Sequence, residues 1–317
     1  MSVQQLPIEV TVHHVHVHVT FDELLCVIFA LLTAASNALA AVLQRKAAAQ
    51  VPEEQSMHLS LIRNLLHRPV WLAGIAMVIV AAICQATALA FGPIALVQPI
   101  FIIELPLTLM LSTLLFRGRD ALHLLPWRAI IITTVALGGG LAAAQPSGAI
   151  DSASTRSWMI ALIVTAAFEA LLISTAVGLH GEPRAALLGL AAACGYALTA
   201  ALLKNAMADL NMGVVEFFTS WHIYAVAVAG VGSLFLLQNA LQAGSLVASQ
   251  PMLTVGDALI SIAYGVTLFS EVLRDGWWLV PQLIALGAII YGCVQIAKSP
   301  LAAEAAPLVT ETPTTVQ

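Results

Sequence analysis

Runs of about 20 apolar residues follow one another along almost the whole chain, and they constrain the fold more than any other feature of the sequence. A helix rises about 1.5 Å per residue, so a run of this length crosses about 30 Å of hydrocarbon. Inside a bilayer every backbone polar group must find a partner within the protein, which favours helices. The sequence therefore predicts an all-α integral membrane protein.

Proline, glycine and charged residues mark the ends of the runs, as in HRPVW, FRGRD and LHGEPR. Nine transmembrane helices are predicted, and we number them spans 1 to 9. Their predicted limits are Leu24–Leu43, Val70–Phe91, Ile94–Phe116, Trp127–Ala144, Trp158–Gly178, Ala185–Leu203, Val214–Leu237, Leu246–Phe269 and Trp277–Ala297.

Composition excludes several classes of protein. Of the 317 residues 60% are hydrophobic and 9% charged, whereas a soluble domain carries about 25% charged residues. No basic block suggests a nucleic-acid partner. No Walker A loop, HExxH, GxSxG, CxxC or dinucleotide fingerprint is present, so we predict neither an enzyme nor a bound cofactor.

Lysine and arginine predict the orientation, because loops rich in them stay cytoplasmic. Alternate loops carry nine lysine and arginine residues on one side of the membrane and three on the other. This difference predicts an extracellular N-terminus and a cytoplasmic C-terminus in the plasma membrane. The first side carries Arg45, Lys46, Arg63, Arg68, Arg117, Arg119, Arg128, Arg184 and Lys298, and the second carries Arg156, Lys204 and Arg274.

An internal repeat relates the two halves of the chain. SNALAAVLQRKAA from Ser36 matches GYALTAALLKNAM from Gly195, and QATALAFGPIALVQP from Gln85 matches LQNALQAGSLVASQP from Leu237. Spans 1 to 4 thus pair with spans 6 to 9, and span 5 connects the halves. A shift of five spans reverses direction across the bilayer, so the predicted repeats have inverted topology, as in many transporters.

The repeat divides the chain into five parts. The predicted parts are an extracellular tail (1–23), a first repeat of four spans (24–146), the connector span (158–178), a second repeat of four spans (185–298) and a disordered cytoplasmic tail (299–317).

Two acids are the strongest candidates for a binding site. Glu104 and Asp257 lie about 15 Å into spans 3 and 8, and an alignment with one residue of slack after the Gln-Pro pairs places them opposite each other in the repeat. A charged group at this depth costs at least about 2.5 kcal/mol, so its presence needs a reason. We predict a central substrate site, with the two acids as candidate metal ligands, that also includes Thr108, Ser261, Gln98, Gln250, Asn37 and Gln85.

A second interpretation remains open for the same residues, since protonated acids and amides also hold helices together by hydrogen bonds. We favour such a structural role for Glu169, which lies in the connector span. Pro99, Pro106 and Pro251 predict either simple kinks or helix breaks that expose carbonyls. His13, His14, His16 and His18 form a cluster that could bind a transition metal.

Several of these segments resemble the drug/metabolite transporter (DMT, EamA-like) superfamily, and particularly its branch of NIPA-type magnesium transporters. The resemblance covers about 24–297 and is carried by NALAAVLQRKA, ALAFGPIALVQPIFIIELPLTLML, GLHGEPRAALLGLAAACGYALTAALLK, QNALQAGSLVASQPMLTVGDALIS and LFSEVL. It implies secondary transport, driven by gradients, of metabolites, drugs or divalent cations. Glu271 in LFSEVL matches a glutamate common at that helix end in the superfamily, where we interpret it as structural.

The predicted function is therefore secondary transport of a small solute by alternating access between the repeats, with Mg²⁺ or another cation as the candidate substrate. Two alternatives remain open: an exporter of small organic metabolites or drugs, and a non-transporting scaffold or partner subunit of an envelope complex. The predicted partners are the solute and the lipid bilayer. A homodimer is compatible with the sequence and is not required by it.

Overall fold

Helices make up most of the computed structural model, which describes residues 8–12, 15–19, 21–48, 69–150 and 152–305. Within these residues nine helices are long and apolar enough to cross a membrane, which confirms the predicted class. In order, spans 1 to 9 are Phe21–Ala48, Pro69–Phe91, Ile94–Arg117, Trp127–Ala144, Thr155–Val177, Glu182–Met212, Trp221–Ala243, Leu246–Leu268 and Leu279–Ala297.

Spans 6 and 7 differ most from their predicted limits. Span 6 continues to Met212, where Gly213 ends it with a φ of 155°. The predicted start of span 7 at Val214 is wrong, because Val214–Thr219 is a separate short helix. Ser220 then caps the true start of span 7, and its side chain accepts a hydrogen bond of 3.2 Å from the backbone N–H of His222.

Span 3 is interrupted at mid-depth. Its first helix is Ile94–Ile100, a 3₁₀ turn follows over Phe101–Ile103, and the second helix is Glu104–Arg117. Pro99 and Pro106 flank the turn, and since proline has no N–H to donate, both weaken the α-helical ladder here. Span 8 is continuous through Pro251. Of the two predicted proline effects, a break is found in span 3 only.

Both ends of the described chain contain structure that the sequence did not predict. Ile8–Val12 (β1) and Val15–Val19 (β2) pair as an antiparallel hairpin, so the all-α prediction holds for the spans alone. Of the predicted histidine cluster, His13 and His14 lie outside the described residues. Pro300–Ala305 is helical, so the predicted disordered tail begins with an ordered turn, and the rest of it, from residue 306, lies outside the described residues.

Span 6 forms the centre of the bundle and packs against spans 2, 5, 7 and 8. Small side chains let these helices approach closely. A Cβ atom at Gly189 would lie 2.8 Å from the backbone oxygen of Ser249 in span 8. The buried small residues of span 6 are Ala185, Gly189, Ala191, Ala192, Ala193, Cys194, Gly195, Ala197, Ala200, Ala201 and Ala206.

Candidate functional site

The two candidate acids belong to helices that meet in the middle of the bundle. Span 8 packs against the first helix of span 3 and against its 3₁₀ turn, and Glu104 is the first residue after that turn. Span 1 packs on span 3, and span 6 packs on span 8. The site is therefore built by spans 1, 3, 6 and 8.

Span 1 contributes the closest polar contact of Glu104. Asn37 donates from its side-chain nitrogen to Oε2 of Glu104 over 3.2 Å. The predicted inclusion of Asn37 in the site therefore agrees with the geometry. A neutral amide leaves the charge of the carboxylate uncompensated, because it supplies a hydrogen bond without a positive charge.

Asp257 lies on span 8 within electrostatic range of Glu104. Its Oδ1 accepts a hydrogen bond of 3.3 Å from the hydroxyl of Ser261, one helical turn later. Ser261 is fully buried. The structure thus brings together four of the predicted residues, namely Asn37, Glu104, Asp257 and Ser261.

Tyr196 on span 6 lies within electrostatic range of both acids, and the sequence analysis missed it. A signal was present, since the alignment of SNALAAV with GYALTAA places Tyr196 opposite Asn37. An aromatic ring with a hydroxyl tip fits a site that must contact both apolar and polar groups of a ligand. If the predicted repeat holds, each half contributes one polar residue and one acid.

Glu104 and Asp257 are surrounded by protein, yet each keeps part of its surface accessible. Both acids are half-buried where spans 3 and 8 pack together. Among the described residues, no group of three or more His, Cys, Asp or Glu side chains is arranged to hold a metal ion.

The other predicted site residues make no hydrogen bond to either acid within the described part of the chain. Gln85, Thr108 and Gln250 are half-buried on spans 2, 3 and 8. Gln98 is 2% exposed, and its side-chain nitrogen has no hydrogen-bond partner among the described residues. An unpaired buried amide costs about 1–3 kcal/mol, so Gln98 is a donor available to a ligand or to water.

A second polar chain runs from span 8 toward the connector. Tyr264, two turns beyond Asp257, shares a hydrogen bond with Thr165 of span 5. Glu169, one turn along span 5, is half-buried and faces Gly195, where an added Cβ would lie 3.3 Å from its Oε1. This close approach to span 6 agrees with a packing role for Glu169.

At the end of the bundle where span 6 finishes, further polar groups are buried that were not predicted as functional. Lys204 was predicted to lie in a loop, but it is buried within span 6 and paired with Glu271 over 3.7 Å. The loop assignment of Lys204 is therefore wrong. His222 contacts Asp209 over 2.7 Å between Nδ1 and Oδ2.

Comparison with known proteins gives one informative relative. An uncharacterized protein of Corynebacterium glutamicum is 25% identical over 281 residues, which cover 88% of this chain and 96% of that protein. No protein-family model matches the chain, and no solved structure matches it. The similarity covers most of both chains, and the relative has no known activity.

Proposed function

We propose that this chain is a secondary transporter of the plasma membrane that carries a small cationic solute by alternating access. The proposal agrees with the resemblance to the drug/metabolite transporter superfamily and its NIPA-type branch. Glu104 and Asp257 bind the cation, Asn37 and Tyr196 orient it, and the energy comes from a gradient.

One observation carries the proposal: Glu104 and Asp257 lie close enough in the middle of the bundle to influence each other electrostatically, and neither is paired with a basic side chain among the described residues. Intramembrane acids are costly and most often mark substrate or ion pathways. Because Lys204 is paired with Glu271 elsewhere, a bound cation is the natural counter-charge for Glu104 and Asp257.

Helix packing supports the inverted repeat that alternating access requires. Span 1 packs closely on span 2, and span 6 on span 7. Span 3 packs on span 1, as span 8 does on span 6, and span 4 packs on its proposed mate, span 9. These are the pairings expected if spans 1 to 4 and 6 to 9 are equivalent units.

Two substrate classes fit the site. Mg²⁺ binds through one or two carboxylates and keeps several waters, so Glu104 and Asp257 suffice as its protein ligands. A small organic cation is the second candidate, favoured by the ring of Tyr196 and by the unpaired amide of Gln98. An ammonium group can lie over an aromatic face while its polar substituents accept from the amide.

Flux into proteoliposomes tests the proposal directly. Mg²⁺ entry is followed with a trapped magnesium indicator, and entry of a small quaternary ammonium ion with an isotope label. We expect one of the two cations to enter through the wild type. The double variant Glu104→Gln, Asp257→Asn should abolish that flux, because neutral amides no longer balance the cation.

The matched control is Glu216→Gln, which removes an exposed acid on the short helix Val214–Thr219. This variant should transport like the wild type. Undiminished flux in the double variant would refute the assignment of Glu104 and Asp257 as the cation-binding residues. Absence of flux for both cations, in folded and inserted protein, would favour organic metabolites or a non-transporting membrane component.

A further inference from the structure

A buried ion pair fastens three spans together at the end of the bundle where spans 2, 6 and 8 finish. Span 8 ends at Leu268, and the backbone N–H groups of Phe269 and Glu271 both donate to the oxygen of Gly265, over 3.1 Å and 2.9 Å. Ser270 adopts a φ of 53°. This turn folds the Glu271 side chain back over the end of its own helix, and a Cβ at Gly265 would overlap Oε2 of Glu271.

The carboxylate of Glu271 holds the start of span 3. Its two oxygens accept hydrogen bonds from the backbone N–H groups of Ile94, over 2.6 Å, and Ala95, over 2.8 Å. Both donors are first-turn groups that have no partner within their own helix. The loop after span 8 is thus joined to the start of span 3.

Lys204 of span 6 completes the junction. Its Nζ donates to the backbone oxygen of Gly92 over 2.7 Å and lies 3.7 Å from Oε1 of Glu271. The ammonium also lies 5.5 Å from the ring centre of Phe269. Lys204 is 5% exposed and Glu271 is 2% exposed. We call Lys204, Glu271 and the Gly92–Ala95 segment the latch.

The loop that carries Glu271 is held from its other side by the connection between spans 4 and 5. Ser147 and Val272 exchange two backbone hydrogen bonds, of 3.0 Å and 2.8 Å, and the N–H of Ile150 donates to the oxygen of Phe269 over 2.8 Å. Glu271 is therefore presented by an anchored loop, and separation of the latch requires span 3 to move away from it.

An exposed polar contact lies at the opposite end of the bundle. There Ser245, the residue before the first residue of span 8, donates from its hydroxyl to Oε2 of Glu182 over 2.7 Å. Both residues are exposed to solvent. The structure is thus closed by a buried pair at the latch end and by an exposed contact at the other.

The energetics of a buried ion pair differ from those of apolar packing, and the difference bears on whether the contact can open. A buried ion pair rarely stabilises a fold more than apolar residues of the same size, because desolvation offsets the attraction. Separation of apolar side chains costs free energy because water then covers apolar surface. A separated lysine and glutamate instead regain their hydration. An ion pair is therefore suited to a contact between the halves that must open and close.

We propose that the latch is the gate that closes one end of the central path, and that its separation opens the Glu104–Asp257 site to that side of the membrane. This inference rests on the proposed transport function. Span 3 carries Glu104 directly beyond its 3₁₀ turn, so release of its start at Ile94 and bending at the turn provide the motion.

Cys26 provides a native reporter that needs no substrate. It is fully buried and lies against Gly92, where an added Cβ would overlap its sulfur. With the other three cysteines replaced by alanine, the rate of modification of Cys26 by a charged thiol reagent measures opening of the latch. The protein is held in nanodiscs, so the reagent reaches both sides.

We expect Glu271→Gln to raise the modification rate about tenfold, since loss of the ion pair shifts the open–closed equilibrium. Lys204→Met should act in the same direction, and Gly265→Ala should too, because its methyl displaces the Glu271 carboxylate. The control retains only Cys293, which is fully buried at the interface of spans 4 and 9 with Leu137 and Ile289. Because Ile102 of the 3₁₀ turn belongs to the same buried cluster, the rate at Cys293 should rise much less than the rate at Cys26 in these variants.

An unchanged rate at Cys26 would overturn the latch as a gate. Equal acceleration at Cys26 and Cys293 would overturn it as well, because the pair would then stabilise the whole fold. Failure of the transport proposal is distinguishable: flux would be absent while Cys26 still responded to Glu271→Gln.

Discussion

Asn37 donates from its side-chain amide to Glu104 across spans 1 and 3 over 3.2 Å. If the proposed repeat holds, the sequence alignment pairs Asn37 with Tyr196 and Glu104 with Asp257. Asn37 makes a hydrogen bond to one acid, whereas Tyr196 is influenced electrostatically by both. This difference in chemistry between the two proposed halves can orient a ligand.

Tyr196→Phe tests that role. Removal of one hydroxyl contact costs about 0.5–1.5 kcal/mol, so we expect the KM for the transported cation to rise about 2- to 10-fold with the maximal flux nearly unchanged. Concentration dependence of flux in proteoliposomes gives both parameters. Tyr291→Phe is the control, because that tyrosine is exposed on span 9. Equal effects of the two substitutions would contradict the assignment of Tyr196.

The main residues of the candidate site could be proposed from the sequence, because residue depth and the predicted repeat can both be derived from it. Glu104 and Asp257 followed from their distance to the span ends and from the matching Gln-Pro pairs. Tyr196 was within reach of the same alignment. Thr108 and Gln250 lie on the same continuous helices as Glu104 and Asp257, yet they make no hydrogen bond to either acid among the described residues. Helical spacing predicts which residues share a face, but it does not predict which side chains form hydrogen bonds.

The contact between Lys204 and Glu271 could not be predicted from the sequence. Lys204 and Glu271 lie 67 positions apart and meet only because spans 6 and 8 pack together. Each looked like an ordinary residue at a span end, where lysine and glutamate are common. Whether such residues face water or each other depends on tertiary packing, and periodicity contains no information about it.

Asn205→Ala should destabilise the fold strongly. Oδ1 of Asn205 accepts from the backbone N–H of Ala153 over 3.0 Å and from Nε1 of Trp158 over 3.1 Å, and Trp158 is 2% exposed. Loss of the acceptor leaves two donors unpaired, at about 1–3 kcal/mol each. We expect the Tm in detergent to fall by several degrees.

The control for this substitution is Asn239→Ala. Its side chain donates only to Phe235, four residues earlier in the same helix. The change in free energy of unfolding should stay within about 0.5 kcal/mol. A Tm for Asn205→Ala as high as that of Asn239→Ala would show that water or another group satisfies the two donors.

Gly189→Ala tests the close approach of spans 6 and 8. The new methyl would lie 2.8 Å from the backbone oxygen of Ser249, and backbone cannot give way as a flexible side chain can. Overpacking of this kind costs about 1–3 kcal/mol. Gly138→Ala is the matched change, since nothing lies within 4 Å of its added Cβ. Thermal unfolding should separate the two variants, and identical Tm values would mean that spans 6 and 8 pack less tightly.

Reassignment of Lys204 changes the charge count behind the predicted orientation. Because Lys204 is buried in an ion pair, only Arg156 and Arg274 remain on the predicted outer side, against nine on the other. We therefore expect an extracellular N-terminus and a cytoplasmic C-terminus. A fluorescent protein that matures only in the cytoplasm should fluoresce when fused after Gln317, while alkaline phosphatase fused there stays inactive. Fusions after Gly148, between spans 4 and 5, should give the reverse pattern. Active phosphatase at Gln317 would show that the orientation in the membrane is the reverse of the predicted one. The Lys204–Glu271 latch would then lie on the cytoplasmic side.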